Sequence, residues 1–361
     1  MLEISPPREV TLQQRHRATF DSADLAIVLS HYGVGVIESI SEFRRGSRRS
    51  AKIGIVAERG KFLLKQRPSR LAKHDRVLFC HAVQRHLSDA GFPLAGLVHP
   101  HTKGPSFVEH GDHVYEMFEF ISGHAYERTP TEAKEAGATL ARFHILSQTM
   151  NIPKTLIAPK GDYHDAPTVR IGLCNIAPSL SAHDSFAGND AELASIVHEL
   201  LARYDRAAEL VNGLGFASWL VQVVHADWHP GNLMFRDGKV AAVIDYDSVR
   251  LARPITDVAT GALHFSFLAG EDPAHWPDEL DETLFKAFVL GYESAIPLVA
   301  AQRAFVPPLM IQALIAECVP PISETGSVGR WSGFRVLQMA RRKTAWLETQ
   351  GRRLVESLDP T

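Results

Sequence analysis

The chain is poor in cysteine. Its 361 residues include three, Cys80, Cys174 and Cys318, which are far apart, form no CxxC pair and are too odd a number to pair fully within one chain. A reducing cytoplasm is therefore the expected home. Charge of one sign is also missing. With 38 Lys+Arg against 41 Asp+Glu and a net charge of -3, there is no broad basic field to hold nucleic acid phosphates, and nucleic acid is not an expected partner. The N-terminus, MLEISPPREVTLQQRHRATF, is polar and lacks the apolar centre of a secretory signal. Read residue by residue, no stretch approaches the roughly 20 apolar residues that cross a bilayer, so no membrane partner is expected. Internal repeats and low-complexity tracts are absent. What remains, 45% hydrophobic and 22% charged residues, describes an ordinary globular protein able to bury one large core or two smaller ones.

Periodicity divides the chain. Ser22 to Tyr32 has helical apolar spacing, and GVGVIESISEF reads as a first strand. The run RRGSRRSAKIGIVAERGKFLLKQR then gives a polar turn near Gly46, a strand over Lys52 to Ala57, a tight turn at Arg59-Gly60 and a strand over Lys61 to Gln66. A helix through Val77, Ala82, Val83 and Leu87 is expected to stop near Gly91, with Pro93 just beyond. PSFVEHGDHVYEMFEFISG reads as a hairpin turning at Gly111-Asp112. From Thr131 the period becomes helical, most clearly in TEAKEAGATLARFHILS and AELASIVHELLARYDRAAELV. Residues 151 to 190 read as a surface insertion, and two strand-like runs interrupt the helices near 220 to 250. The expected architecture is α+β, with a small antiparallel sheet over residues 1–120 and a mainly helical part over 121–361.

The chemistry concentrates in VVHADWHPGNLMFRDGKVAAVIDYDS, where two apolar runs bracket a polar loop. Phosphoryl transfer needs a carboxylate near the acceptor hydroxyl, a divalent metal to neutralise the phosphates and oxygen ligands to hold it. Asp227, Asn232 and Asp245 can supply these functions.

HADWHPGN fits the pattern HxDxxxxN, and with the later IDYD it resembles the catalytic and metal-binding segments of the aminoglycoside phosphotransferase, choline kinase and type II homoserine kinase superfamily. That resemblance implies a protein-kinase-like two-lobed fold, ATP and Mg²⁺ as cofactors and a small-molecule hydroxyl acceptor. It further implies Asp227 as the catalytic carboxylate, His225 as a buttress of the loop, Asn232 and Asp245 as metal ligands, and Asp257 of RPITDVA as a tie on the loop. GKFLLKQR would place Lys65 on the nucleotide phosphates, and FRRGSRRS would bring Gly46 and nearby amides over them. YEMFEFISG resembles the connection between lobes, implying that the carbonyl of Glu119 and the amide of Ile121 face adenine. FVLGYES is similar to a helix of the homoserine kinase-like branch. The pattern departs from the family in two places: no GxGxxG loop is present, and no glutamate between Leu71 and Ala90 can pair with Lys65. The role of Asp247 is left open.

Other readings compete. Asp and Asn beside Pro-Gly are often ordinary turn residues, Lys65 can be a solvated strand lysine, and the arginines around Gly46 a charged hairpin tip. His225, Asp227 and His229 alternate, which on an extended backbone allows a metal hydrolase site. A non-catalytic nucleotide-binding scaffold of the same fold is the further alternative.

Overall fold

The computed structural model describes residues 20–42, 50–67, 73–101, 104–152, 156, 158–181 and 190–359. The expected phosphate turn at Gly46 lies outside them. The chain divides into two compact units, one formed by Met1–His74 and Gly96–Phe120, the other by Asp75–Ala95 and Ile121–Thr361.

The smaller unit opens with α1 (Ser22–Ser30), capped by the Asp21 carboxylate, which accepts from the Ala23 amide at 2.8 Å and satisfies an N–H that the helix itself cannot. An antiparallel sheet follows, built from β1 (Ile37–Glu42), β2 (Lys52–Ala57), β3 (Gly60–Gln66), β4 (Leu97–Val98), β5 (Val108–His110) and β6 (His113–Glu119). Its order is β1-β2-β3-β6-β4, with β5 also paired to β6. Alternation along the strands sends Ile53, Ile55, Phe62, Leu64, Tyr115 and Met117 into a small core with Val28 and Leu29 of α1. Lys65 and Glu116, opposed in the β3–β6 register, therefore share the other face.

The larger unit begins with α2 (His74–Asp89). Gly91 ends it with φ +69, and the Phe92 amide returns to the Leu87 carbonyl at 2.9 Å, a glycine stop in the left-handed conformation. Residues 75–95 group with this unit because Phe79, Cys80, Val83 and Leu87 enter the main core together with Phe143, Trp228 and Tyr246. In α3 (Pro130–Gln148), Thr129 accepts from the Glu132 amide and Pro130 opens the first turn. Two short helices, α4 (Pro167–Cys174) and α5 (Ile176–Ser181), occupy what reads in sequence as a surface insertion. The proline and glycine punctuation there masks the apolar anchors Leu173, Ile176 and Leu180, all fully buried. A long helix α6 (Asp190–Gly213) follows.

Next come four short strands, β7 (Gln222–Val224), β8 (Leu233–Arg236), β9 (Lys239–Val243) and β10 (Arg250–Ala252). The two strand-like runs apparent in sequence do not pair with each other: β8 pairs with β9 and β7 with β10. The unit closes with α7 (Pro254–Ser266), α8 (Glu282–Glu293), α9 (Ala300–Arg303), α10 (Val306–Thr325), the small β11 (Ser327–Val328) and β12 (Trp331–Ser332) pair, and α11 (Gly333–Glu356).

Helices α3 and α8 touch backbone to backbone. A Cβ at Gly137 would sit 2.0 Å from the Phe288 carbonyl oxygen, and one at Gly291 2.0 Å from that of Lys134. Contrary to the residue-by-residue reading, Ala300–Thr325 is long and apolar enough to cross a membrane, yet 78% of its most apolar window is buried inside the protein. It is a core element of this unit.

Candidate active site

In the larger unit, β7 delivers the chain into the loop at His225. The Asp257 carboxylate, on the first turn of α7 and 1% exposed, accepts from the main-chain amides of His225 at 2.8 Å and Ala226 at 2.9 Å. Ala226 has φ +61, a left-handed conformation that costs a residue with a Cβ roughly 1–2 kcal/mol. The two bonds to Asp257 hold that turn, which aims Asp227 out of the core. Asp257 also meets the Nε2 atom of His144 at 3.1 Å, and His144 Nδ1 meets the Tyr292 hydroxyl at 3.0 Å. An ionised carboxylate only accepts, so Nε2 carries the proton and Nδ1 takes the hydrogen bond that Tyr292 donates. His144 and Tyr292 were not assigned a role from sequence. The helical period of TEAKEAGATLARFHILS marks the helix that carries His144, but nothing local to it points to Asp257.

Asp227 is partly exposed. Asn232 donates through Nδ2 to Asp227 Oδ2 and to the Asp227 main-chain carbonyl oxygen, both at 2.9 Å, and the His229 imidazole lies 3.6 Å from Asp227 Oδ1. Burial pushes the Asp227 carboxyl up, but the neighbouring imidazoles, His229 foremost, offset this, and the net displacement is downward. Asp227 is thus a carboxylate at neutral pH. Because the Asn232 amide nitrogen is committed to Asp227, its side-chain oxygen is the atom left for a cation.

Asp245 follows β9 with φ 64 and ψ 68, a second left-handed residue, and its neighbour Ile244 donates its amide to the Asn232 carbonyl at 2.9 Å. The loop bearing Asn232 and the turn bearing Asp245 are therefore joined through the main chain. Two oxygen-bearing side chains of this kind suit a hard divalent cation such as Mg²⁺, which takes oxygen ligands and retains several waters.

His225 is fully buried, its ring in contact with Phe143, Trp228 and Tyr246 at centroid separations of 5.9, 5.4 and 5.3 Å. Burial holds its pKa below the ordinary value despite the nearby aspartates. The imidazole is neutral and packs behind the loop. Among the described residues, the ligand atoms of His225, Asp227 and His229 do not gather into a metal-sized group, because His225 turns into the aromatic core. The hydrolase alternative loses its geometric basis.

In the smaller unit Lys65 lies on β3 and is 6% exposed, unlike a solvated strand lysine. Glu119 ends β6, its amide bound to the Gly96 carbonyl at 2.8 Å, and Ile121 follows as the first residue of the larger unit after the junction.

The sequence model of the phosphotransferase enzyme family matches residues 40–304. The chain belongs to that family. This phosphotransferase is 24% identical over 295 residues to homoserine kinase of Phenylobacterium zucineum, an alignment spanning 79% of this chain and 80% of the relative. Among solved structures, it resembles an aminoglycoside phosphotransferase from Alicyclobacillus acidocaldarius with a TM-score of 0.65 and 18% identity, over 96% of this chain and 100% of the other. A microcompartment-associated aminopropanol kinase gives a TM-score of 0.67 at 16% identity, over 94% and 100%. An amicoumacin kinase solved with AMP-PNP and Ca²⁺ gives 0.66 at 14%, over 91% and 94%. At these identities the structural likeness establishes the fold, which is protein-kinase-like: an antiparallel sheet unit and a larger helical one.

Proposed function

We propose that this phosphotransferase is an ATP- and Mg²⁺-dependent kinase that transfers the γ-phosphoryl group to a hydroxyl of a small amine-bearing acceptor, an amino alcohol or a hydroxylated amino acid. The observation carrying the reading is the Asp227 carboxylate, kept ionised beside His229, braced by Asn232 and aimed by two main-chain bonds to Asp257. The names of the homoserine and aminopropanol kinases support the acceptor class, and the AMP-PNP complex of the amicoumacin kinase supports the nucleotide.

In this mechanism Asp227 accepts a hydrogen bond from the acceptor hydroxyl, sets its oxygen in line with the γ-phosphorus and takes its proton as the new P–O bond forms and the bond from the γ-phosphorus to the β–γ bridging oxygen breaks, the electron pair leaving with ADP. Asn232 and Asp245 would hold Mg²⁺, which would supply neutralisation of phosphate charge. Lys65 binds the α- and β-phosphates, while the Glu119 carbonyl and Ile121 amide receive the adenine edge. Catalysis comes mainly from positioning and from fixed charge.

Asp227→Asn removes the proton acceptor with little change in shape. Turnover should fall at least about a hundredfold, within the usual range for general acid–base groups, with Mg-ATP binding by thermal shift close to wild type. A variant retaining full phosphotransferase activity across a panel of amino alcohols would end the assignment. Mg-ATP binding by the wild-type protein with no ADP release on any acceptor would favour the scaffold alternative.

A further inference from the structure

Helix α2 carries no glutamate, and its carboxylates, Asp75 and Asp89, stand at its two ends. It makes a different connection. Arg76, in its first turn, donates through a terminal guanidinium nitrogen to the main-chain carbonyl of Asp247. The segment that follows α2 is tied to the same stretch from the other side: the Val243 amide donates to the Pro93 carbonyl at 2.9 Å, and Leu94 and Val243 form an isolated parallel bridge.

Asp245 lies between these ties, two residues after Val243 and two before Asp247. Its left-handed backbone (φ 64, ψ 68) is one that an aspartate holds only when its surroundings over-determine it. On the Val243 side β9 is fixed by its ladder with β8. On the Asp247 side the chain passes into a short 3-10 turn, Tyr246–Ser248, with no ladder of its own. There the guanidinium supplies a tie that reaches the turn from a helix anchored in the core, since α2 buries Phe79, Cys80 and Val83.

We propose that Arg76 is a positioning residue for the metal site: by holding the Asp247 carbonyl it fixes the left-handed turn that presents the Asp245 carboxylate. The inference rests on Asp245 being a metal ligand, as proposed above. Its effect passes through the main chain, by way of the Asp247 carbonyl. In this protein α2 thus acts on the metal segment directly, by a bond from a cation to a carbonyl.

The test uses the full chain and Mn²⁺ as the probe. Binding of Mn²⁺ in the presence of AMP-PNP is followed by electron paramagnetic resonance, alongside the Mg²⁺ dependence of turnover. Arg76→Met should weaken Mn²⁺ binding about tenfold, the low end of what loss of a supporting partner costs a metal site, and raise the Mg²⁺ requirement in parallel. The KM for the acceptor should stay near wild type. Arg76→Lys keeps a donor and should recover part of the loss. A purely structural role would lower the melting temperature of Arg76→Met while leaving its Mn²⁺ affinity and Mg²⁺ dependence at wild-type values, and that result overturns the proposal. If Arg76→Met does not fold, Arg76→Gln carries the same titration and the same criterion. Asp245→Asn separates the two layers of the argument: if it abolishes Mn²⁺ binding while the Arg76 variants bind normally, the inference about Arg76 fails and the reading of Asp245 stands. If Asp245→Asn itself binds Mn²⁺ and turns over like wild type, the metal-ligand reading fails, and this inference with it.

Discussion

The bond set around Asp257 allows a quantitative prediction. Its carboxylate takes two main-chain amides at 2.8 and 2.9 Å and the His144 Nε2 at 3.1 Å, in a site where His144 and Asp257 are 0% and 1% exposed. Asp257→Asn keeps the shape but removes the charge and replaces one acceptor oxygen by an NH₂ group. That group cannot accept, so at least one buried N–H is left unpaired, at about 1–3 kcal/mol. The remaining bonds lose their charge assistance, and the turn at Ala226 loses part of its support, worth roughly another 1–2 kcal/mol. The expected destabilisation is therefore about 2–5 kcal/mol, a range that includes what breaking a buried charged pair costs. Urea unfolding followed by circular dichroism measures it. Since the same bonds aim Asp227, kcat should fall by about a hundredfold, as a displacement near 1 Å can cost, with a smaller change in the KM for ATP. A variant within about 1 kcal/mol of wild type and within threefold in kcat would refute the view that Asp257 holds the loop.

Two further predictions address regions away from the loop. In the smaller unit Arg67 and Glu116 form an ion pair at 2.8 Å with side chains 1% and 0% exposed; Glu116→Gln leaves the guanidinium buried beside a neutral group and should cost about 3–5 kcal/mol in denaturant unfolding, whereas a loss below about 1 kcal/mol would contradict its burial. In the larger unit Lys343, fully buried, donates to the carbonyls of Pro277 at 2.6 Å and Glu279 at 3.1 Å, and burial lowers its pKa to about 8, against the opposing pull of Glu279 and Asp278. Between about pH 8 and the unfolded value near 10.4 the unfolded chain binds one more proton than the folded one, so stability should rise with pH across that window, by up to about 3 kcal/mol. Melting temperatures of wild type and Lys343→Met compared from pH 7 to 10.5 isolate this contribution, and parallel curves would show that the amine titrates normally.

How far the sequence revealed the molecule depended on the distance over which each feature is encoded. The candidate loop stood out because Asp227, Asn232 and Asp245 fall within one short stretch, where residue type and spacing suggest the chemistry. The β2–β3 hairpin was readable for the same reason: its alternation and its turn at Arg59-Gly60 lie side by side, and the strands form at Lys52–Ala57 and Gly60–Gln66. Strands of three or four residues, such as β7 and β10, are too short to establish a period, so their pairing across the catalytic loop was invisible. The His144–Asp257–Tyr292 chain was hidden for a deeper reason. Its members lie on α3, α7 and α8, and they meet because Gly137 and Gly291 let α3 and α8 approach to backbone contact. No local pattern states that two glycines 154 residues apart oppose the same pair of helices. The link from α2 to the turn at Asp245 follows the same logic: the helical period was plain, but the bond from Arg76 reaches a carbonyl 171 positions away. Candidate chemical residues thus stand out from types and spacing, whereas the residues that brace them become visible only when the packing of the helices is known.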